Sequence, residues 1–224
     1  MKRLIPLLLL TALLTACGPS RQLTRESQYG AMYQNMPVTL LVMPPINNTT
    51  NVEAKELLYT SISQPLAEAG YYVISPNLAM DILKAESAYD AELFVDKPLR
   101  LFKEYFGADA VVFSQIDDWT KRGFGIATKI RYFIKSTTNN EIIFDRTCDL
   151  YLDLQENTSG NSGWSALIGL AVSALNTALT DHIVAARKVN GFVFEDIPRG
   201  KYSPDHLKDG EVTVEPKDIK KTVK

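Results

Sequence analysis

Residues 126–136 read IATKIRYFIKS, in which apolar and polar side chains alternate. Successive side chains of a β-strand point to opposite faces, so the stretch predicts one buried face and one partly wet face. The buried face comprises Ile126, Thr128, Ile130, Tyr132 and Ile134, and the partly wet face comprises Ala127, Lys129, Arg131, Phe133 and Lys135. Alternation of this kind is typical of an antiparallel sheet that is covered on one side. The stretch therefore predicts a half-covered antiparallel sheet in the middle of the chain.

Two further strand-like segments flank this stretch, at residues 110–119 and 141–154. Gly123-Phe124-Gly125 predicts the first hairpin turn, and Thr138-Asn139-Asn140 predicts the second. The first of these turns lacks the third glycine and the lysine of a phosphate-binding loop, so a structural turn is the better interpretation. Three consecutive antiparallel strands are expected.

The part of the chain before these strands alternates strand and helix patterns. Residues 38–43 (VTLLVM) form a continuous apolar run, which is typical of a strand buried on both faces. A helical pattern follows and ends near Gly70, and residues 71–74 (YYVI) predict a second strand. Two more helices are expected before Gly107, which lies where a helix C-cap belongs.

An apolar helix is predicted from about residue 162 to 189, after the three antiparallel strands. The predicted order is therefore β-α-β-α-α-β-β-β-α. This order indicates a single α/β domain over residues 37–200, with a mixed β-sheet and helices packed on it. The charged residues 201–224 are expected to form a mobile tail.

The first residues predict where the protein is located. Lys2 and Arg3 precede an apolar stretch from Leu4 to Leu14, which is the pattern of a secretory signal peptide. The stretch is too short for a membrane-spanning helix. Leu14-Thr15-Ala16-Cys17 resembles the lipobox of bacterial lipoproteins. The alternative is an ordinary signal peptide with a chance cysteine.

The lipobox resemblance implies that residues 1–16 are removed and that Cys17 becomes a lipidated first residue. By resemblance to lipoprotein sorting signals, Gly18 rather than Asp favours the outer membrane, with the protein facing the periplasm; exposure on the cell surface is the alternative. Residues 17–36 are polar and lack periodicity, so a flexible tether is expected. Such a tether would span roughly 25 Å on average and at most about 65 Å when extended.

Composition narrows the classes of function. The chain has 224 residues, of which 46% are hydrophobic and 22% charged, as in an average globular protein. Removal of residues 1–16 leaves 22 basic and 26 acidic residues, a net charge of −4 that argues against a broad nucleic-acid interface. Two cysteines and two histidines leave little for a metal site. We expect no enzyme activity, cofactor or metal.

Three segments carry a family resemblance: VTLLVMPPINNTT (38–50), GYYVISP (70–76) and EYFGADAVVFSQI (104–116). Their layout resembles the periplasmic α/β domains of CsgG, of the TolB amino-terminal domain and of the LpoB-type synthase activators. More closely, they resemble a family of bacterial lipoproteins of unknown function, typified by a meningococcal lipoprotein antigen candidate. The resemblance covers residues 36–200 and implies a non-enzymatic accessory domain that faces the periplasm.

Two classes of function follow from this resemblance. The leading hypothesis is an outer-membrane-anchored assembly or secretion accessory that binds other envelope proteins, as part of a CsgG-like system. The alternative is a regulator of peptidoglycan synthesis of the LpoB type. Activators of that type rely on long disordered linkers, so the predicted tether of 19 residues favours the first hypothesis.

Two groups of carboxylates could carry chemistry. Asp145, Asp149 and Asp153 share one face of a predicted strand, where they could bind a cation or a basic partner, or form a solvated sheet face. Asp117 and Asp118 are adjacent in a strand and therefore point to opposite sides, which argues against an acid–base pair.

The histidines and the remaining cysteine are interpreted as structural. Asp181-His182 and Asp205-His206 are adjacent pairs whose side chains point apart, so solvated surface residues are expected. Cys148 alternates in phase with apolar residues of its strand and predicts a small core residue.

The segment 157–180 contains no charged residue. Small residues recur every four positions and would let another backbone approach closely. A helix over residues 162–189 is about 42 Å long, whereas the domain has an expected radius of gyration near 15 Å. A core-facing helix, self-association and membrane insertion are all open interpretations. We predict a homodimer, or a contact with a related lipoprotein, through these residues: Trp164, Ser165, Leu167, Gly169 and Ser173.

Overall fold

A computed structural model describes residues 22–86, 90–154 and 174–224 of the chain. Within these residues, seven strands belong to one mixed sheet. The strands are β1 (Thr39–Val42), β2 (Ile46–Asn47), β3 (Tyr72–Val73), β4 (Ala110–Arg122), β5 (Gly125–Ser136), β6 (Ile142–Asp153) and β7 (Asp218–Val223). Their order is β3-β1-β4-β5-β6-β7, and β2 pairs with β4. Strands β4, β5 and β6 are antiparallel, whereas the other pairings are parallel.

The helices cover the two faces of the sheet unequally. They are α1 (Arg25–Asn35), α2 (Glu53–Glu68), α3 (Pro76–Ala85), α4 (Arg100–Phe106) and α5 (Ala174–Glu195), with a short 3₁₀ helix at Ala91–Leu93. Side chains of α1, α2 and α5 share one apolar core with the sheet. Side chains of α3 and α4 form a second core on the opposite face, against β1, β4 and β5.

The mixed α/β fold class is confirmed, but the expectation of a sheet covered on one side is wrong at β5, because Phe133 and Lys135 of the face predicted to be wet are buried, and Phe133 packs in the core under α3 and α4. Ile126, Ile130 and Ile134 are buried and Lys129 is exposed. The turn before β5 requires glycine, because a Cβ on Gly125 would lie 2.3 Å from the Leu152 carbonyl oxygen. The predicted elements appear in the predicted order, with α1, β2 and β7 in addition.

The expectation of a flexible tether over residues 17–36 is wrong from residue 24 onwards. Thr24 begins α1 with a capping box, in which its hydroxyl accepts a hydrogen bond from the Ser27 N–H and the Ser27 hydroxyl accepts one from the Thr24 N–H. Tyr29 is buried and stacks on Phe144 of β6 with ring centroids 4.7 Å apart. The helix is therefore part of the packed protein.

The expectation of a mobile tail over residues 201–224 is also wrong. Strand β7 pairs with β6 along its whole length and buries Ile219. Before it, the chain passes beside the start of α1, where the Val212 carbonyl accepts a hydrogen bond from the Arg25 N–H at 2.9 Å. The packed part of the chain therefore extends past residues 37–200 in both directions.

The predicted end of the last helix is wrong as well. Helix α5 continues through Asn190-Gly191 to Glu195. Asn190 does not cap the helix because its side chain is fully buried. Its amide donates to the Leu58 carbonyl at 3.2 Å and to the Ser61 hydroxyl at 2.9 Å, and its carbonyl accepts from the Tyr132 hydroxyl at 2.5 Å. Asn190 thus links α5 to α2 and β5.

Candidate functional site

Two arginines hold the carboxyl end of α5. Arg146 is buried and donates to the Val193 carbonyl at 3.0 Å and to the Asp196 carboxylate at 2.6 Å. Arg25 donates from Nε to the Asp196 carbonyl at 3.1 Å. The last carbonyls of a helix lack partners within the helix and carry partial negative charge, so guanidinium groups stabilise them. These contacts fix α1 and β6 to the end of α5.

The carboxylate of Asp209 collects three donors beside this helix end. Arg25 Nη1 lies 2.7 Å from Asp209 Oδ2, the Arg199 N–H donates at 2.8 Å, and the Tyr33 hydroxyl donates at 3.0 Å. Burial raises the pKa of Asp209, but the hydrogen bonds from Arg199, Arg25 and Tyr33 outweigh it and hold the pKa below 3.8. The segment that carries Asp209 is thereby fastened onto α1.

The contacts between α1 and the segment that carries Asp209 limit the distance between the folded protein and a lipid anchor. Cys17 lies outside the described residues. Thr24 is held against Thr213 by an isolated antiparallel bridge. The seven peptide units between Cys17 and Thr24 span at most about 25 Å, whatever their conformation. A lipid on Cys17 would therefore keep this side of the protein close to the membrane, in place of the 65 Å reach expected from a tether of about 19 residues.

The acidic stripe predicted on β6 is mixed with cations. The Arg131 guanidinium donates two hydrogen bonds to the Asp145 carboxylate, at 2.9 and 2.7 Å. Asp149 is in register with Lys129 on β5 and with Lys220 on β7. The charges on this face therefore alternate in sign, which favours a solvated sheet face over a cation site. Within the described residues, no three His, Cys, Asp or Glu side chains are grouped to hold a metal.

Asp117 and Asp118 each have their own partners, although a β-bulge interrupts the strict alternation on which the expectation of opposite sides rested. This bulge lies between Ile116 and Asp118, and both Ile116 and Trp119 pack in the same core. The Asp117 carboxylate accepts from Asn48 at 3.1 Å and from Gln115 at 2.8 Å. The Asp118 carboxylate pairs with Arg122 at 2.6 Å. These contacts give both carboxylates a structural role in β4.

His182 makes a contact that the sequence interpretation missed. The Trp119 Nε1–H donates to His182 Nδ1 at 2.7 Å, and the two rings are 18° from parallel. Burial lowers the pKa of His182 below 6.5. The sequence contained a signal for this contact. His182 lies seven residues, or about two helical turns, before the buried Val189 and therefore on the same side of α5. The solvated interpretation of His182 was therefore wrong.

Cys148 is fully buried, which confirms its prediction as a core residue. Burial raises the pKa of its thiol to about 12, so the thiol stays protonated at neutral pH. A protonated, buried thiol is neither a nucleophile nor a metal ligand. His206 also has a structural contact, since its Nδ1 lies 2.8 Å from the Arg199 carbonyl.

A cleft of about 680 Å³ lies between the end of α2, α5 and the segment after it. Its lining includes apolar residues, such as Pro65 and Phe192, and charged residues of both signs. The balance of charges gives no preference for a simple cation or anion. The charged lining residues are Glu68, Lys188, Glu195, Arg199 and Asp205.

The predicted homodimer interface lies outside the described residues. This holds for Trp164, Ser165, Leu167, Gly169 and Ser173. The described part of the same helix faces the core, with Ala185, Ala186 and Val189 fully buried. Dimerisation through the earlier part stays a prediction. None of the described helices is long and apolar enough to span a membrane.

Comparison with known proteins identifies relatives of this chain. The family model described as "Putative lipoprotein GNA1162-like" matches residues 27–192. The "Putative lipoprotein NMB1124/NMB1162" of Neisseria meningitidis serogroup B (strain ATCC BAA-335 / MC58) is 25% identical over 184 residues. That alignment covers 79% of this chain and 83% of the meningococcal protein.

Solved structures are more distant. The crystal structure of lipoprotein GNA1162 from Neisseria meningitidis is 20% identical, covers 66% of this chain and 99% of that chain, and has a TM-score of 0.48. The LpoB C-terminal domain from Escherichia coli is 16% identical, covers 55% of this chain and 95% of that domain, and has a TM-score of 0.36.

Proposed function

Since this chain belongs to the GNA1162-like family of lipoproteins, as its motifs predicted, we propose that it is a non-enzymatic accessory of envelope assembly or secretion. A lipoprotein is anchored to a membrane of the cell envelope. We place this one on the outer membrane, facing the periplasm, because Gly18 rather than Asp follows the lipobox cysteine. In this role it binds other envelope proteins, as part of a CsgG-like system.

One observation carries this proposal: α1 is packed against the core directly after the predicted anchor. With Cys17 lipidated, the start of α1 lies within about 25 Å of the membrane. The protein therefore presents its surface to partners that are themselves at that membrane. This position suits an accessory to proteins that assemble in or cross the outer membrane.

The same observation disfavours the alternative, a regulator of peptidoglycan synthesis of the LpoB type. Such a regulator has to meet a synthase anchored in the inner membrane, and a span of at most about 25 Å gives little reach. The residues after Thr24 that were expected to lengthen the linker are helical and packed.

The arrangement of titratable groups supports a non-enzymatic role. Among the described residues, the buried Cys148 thiol has a raised pKa. Asp209 and Asp145 are occupied by arginine partners. His182 is occupied by the Trp119 N–H. A candidate general base needs a free position that faces a substrate, and these groups are used in structural contacts instead.

The experiment combines anchoring and partner capture in cells. Wild-type protein should fractionate with outer membranes, and mass spectrometry should find Cys17 acylated as the first residue. A Cys17→Ser variant should be released from the membrane. Crosslinking of the wild type in intact cells, followed by purification, should capture outer-membrane or periplasmic assembly proteins. Capture of an inner-membrane synthase in their place would overturn the proposal in favour of the regulator.

A further inference from the structure

An apolar surface extends over α3 and α4 on the side that faces away from the sheet. Leu78 and Ile82 are one turn apart on α3, and Leu101 and Tyr105 are one turn apart on α4. These four side chains are 40 to 79% exposed, with Tyr105 the most exposed. Together they define the α3–α4 surface. Both helices are thus apolar on their outer side as well as on the side that packs on the sheet.

A groove runs through this surface. It encloses about 510 Å³ between the two helices and the segment that joins them. Its base is aromatic, with Phe94 and Phe102 in an edge-to-face contact at 5.1 Å. Isolated exposed apolar residues are ordinary, but a continuous groove lined by them indicates a partner. The lining residues are Ile82, Leu83, Glu86, Phe94, Pro98, Leu101, Phe102, Tyr105 and Phe106.

The size of the surface fits a protein partner. The exposed parts of its large apolar side chains amount to on the order of 500 Å², at the upper end of what a soluble monomer leaves open. A standard interface buries about 800 Å² on each partner, and a polar rim supplies the remainder.

The charges around the surface argue for a second copy of the chain. Arg100 and Glu104 form an ion pair at 2.8 Å beside Leu101 and Tyr105, and their side chains are 83% and 50% exposed. When α4 packs against α4 of another copy across a two-fold axis perpendicular to the helices, the two helices run antiparallel. Arg100 of each copy then lies near Glu104 of the other, and Leu101 lies near Tyr105. The sequence of α4 is therefore complementary to itself.

A lipid surface is a poorer fit. The described exposed residues between 76 and 106 include six acidic and four basic side chains. Binding to an anionic membrane surface needs an excess of Lys and Arg beside the apolar face, and here the excess is acidic. The same mixture of charges is complementary to an identical surface. The acidic residues are Asp81, Glu86, Asp90, Glu92, Asp96 and Glu104; the basic ones are Lys84, Lys97, Arg100 and Lys103.

We propose that a second copy of this chain docks on the α3–α4 surface across a two-fold axis perpendicular to α4, with α4 packed antiparallel against α4. This interface is separate from the small-residue helix face at residues 164–173, and it does not depend on the accessory function proposed above.

Sedimentation of the unlipidated mature chain, made with Cys17→Ser, tests the interface. The wild type is expected to be a dimer at tens of micromolar. Tyr105→Asp should weaken the dimer by about 100-fold, since it places a charge in the apolar contact. Phe124→Asp is the matched control, because Phe124 is 71% exposed in the β4–β5 turn, outside the surface. Circular dichroism and the unfolding midpoint verify that both variants are folded.

A charge exchange tests the two-fold geometry. In the two-fold dimer, residue 100 of each copy lies near residue 104 of the other, so this contact occurs twice. Arg100→Glu alone or Glu104→Arg alone puts like charges together in both contacts, and each variant should therefore dissociate. An equal mixture of the two should form a heterodimer, because every close pair then has opposite signs. Three results would overturn the proposal. The wild type could be monomeric, or its dimer could resist Tyr105→Asp and dissociate with Gly169→Leu. The third is an equal mixture of the two charge variants that stays monomeric.

Discussion

The Arg25 guanidinium lies 2.7 Å from the Asp209 carboxylate, although 184 residues separate them in the chain. Their side chains are only 5% and 3% exposed. The pair joins the first described helix to the segment before β7. It therefore fixes the position of α1 relative to the sheet, and with it the point from which a lipid anchor would extend.

Arg25→Ala is expected to lower the free energy of unfolding by about 3–5 kcal/mol, since it leaves the Asp209 carboxylate buried without its charge partner. Urea unfolding measures the change. Arg122→Ala is the control, because it removes an exposed pair with Asp118 and should cost less than about 1 kcal/mol. Equal losses in the two variants would contradict the importance of the buried pair.

Asp209 also predicts how stability depends on pH. Its folded pKa lies below the ordinary value of 3.8, so the ionised form is the one that folding favours. The ionised Asp209 carboxylate contributes fully to the free energy of unfolding above its pKa in the unfolded chain. This contribution is lost as the pH falls from about 4 through its pKa in the folded protein. Unfolding free energies measured from neutral pH down through this range should therefore decrease. In Asp209→Asn this part of the decrease should be absent; an unchanged profile would show that other groups cause it.

Tyr132→Phe is expected to cost about 1–3 kcal/mol of unfolding free energy, because it removes the hydroxyl that donates to the buried Asn190 carbonyl. Tyr151→Phe provides the comparison, since its hydroxyl donates to the Arg122 carbonyl at an exposed position. A loss no greater than in Tyr151→Phe would mean that the contact with Asn190 adds little. Thermal or urea unfolding distinguishes the two results.

The contact between Trp119 and His182 provides a fluorescence test. The Nδ1 atom accepts the indole N–H only while it is unprotonated, and burial lowers the pKa of His182. In a Trp164→Phe background, the emission of Trp119 should change as the pH falls, with a midpoint below 6.5. His182→Asn should abolish this transition. A midpoint above 6.5 would place the imidazole in a different environment.

The central sheet could be predicted because its signal is local. Ile126, Ile130 and Ile134 alternate with polar residues, and each hairpin has its own turn residues. Gly107 ended its helix as expected, with a left-handed φ of 67°. In these elements, periodicity and turn chemistry agree with the positions of the strands and turns, whereas the burial of Phe133 and Lys135 on the second face of β5 depends on the distant helices α3 and α4.

The parts that could not be predicted depend on contacts between distant residues. Helix α1 is fixed by Arg25, whose side-chain partners lie at least 170 residues later in the chain. Strand β7 carries Lys220 and Lys221 and resembles a solvated tail, yet it completes the sheet beside β6. Asn190 has the residue type of a helix end, and only the tertiary position of Tyr132 shows why it is buried inside α5.

The α3–α4 surface could be predicted from the sequence only in part. Its apolar residues were visible in the sequence, but a helix apolar on two sides is typical of burial on both. The fold was needed to show that α3 and α4 form the outermost layer of their face, where Leu101 and Tyr105 have no neighbouring element above them among the described residues.

The distant partners of Arg25 also impose an order of events during export. In a chain exported amino terminus first, the residues around Cys17 would emerge before Glu195, Asp196 and Asp209. Arg25 of α1 cannot form these contacts before the later residues are present. Enzymes that acylate and trim Cys17 during export would therefore meet the chain before Arg25 has joined α1 to the end of α5 and to Asp209.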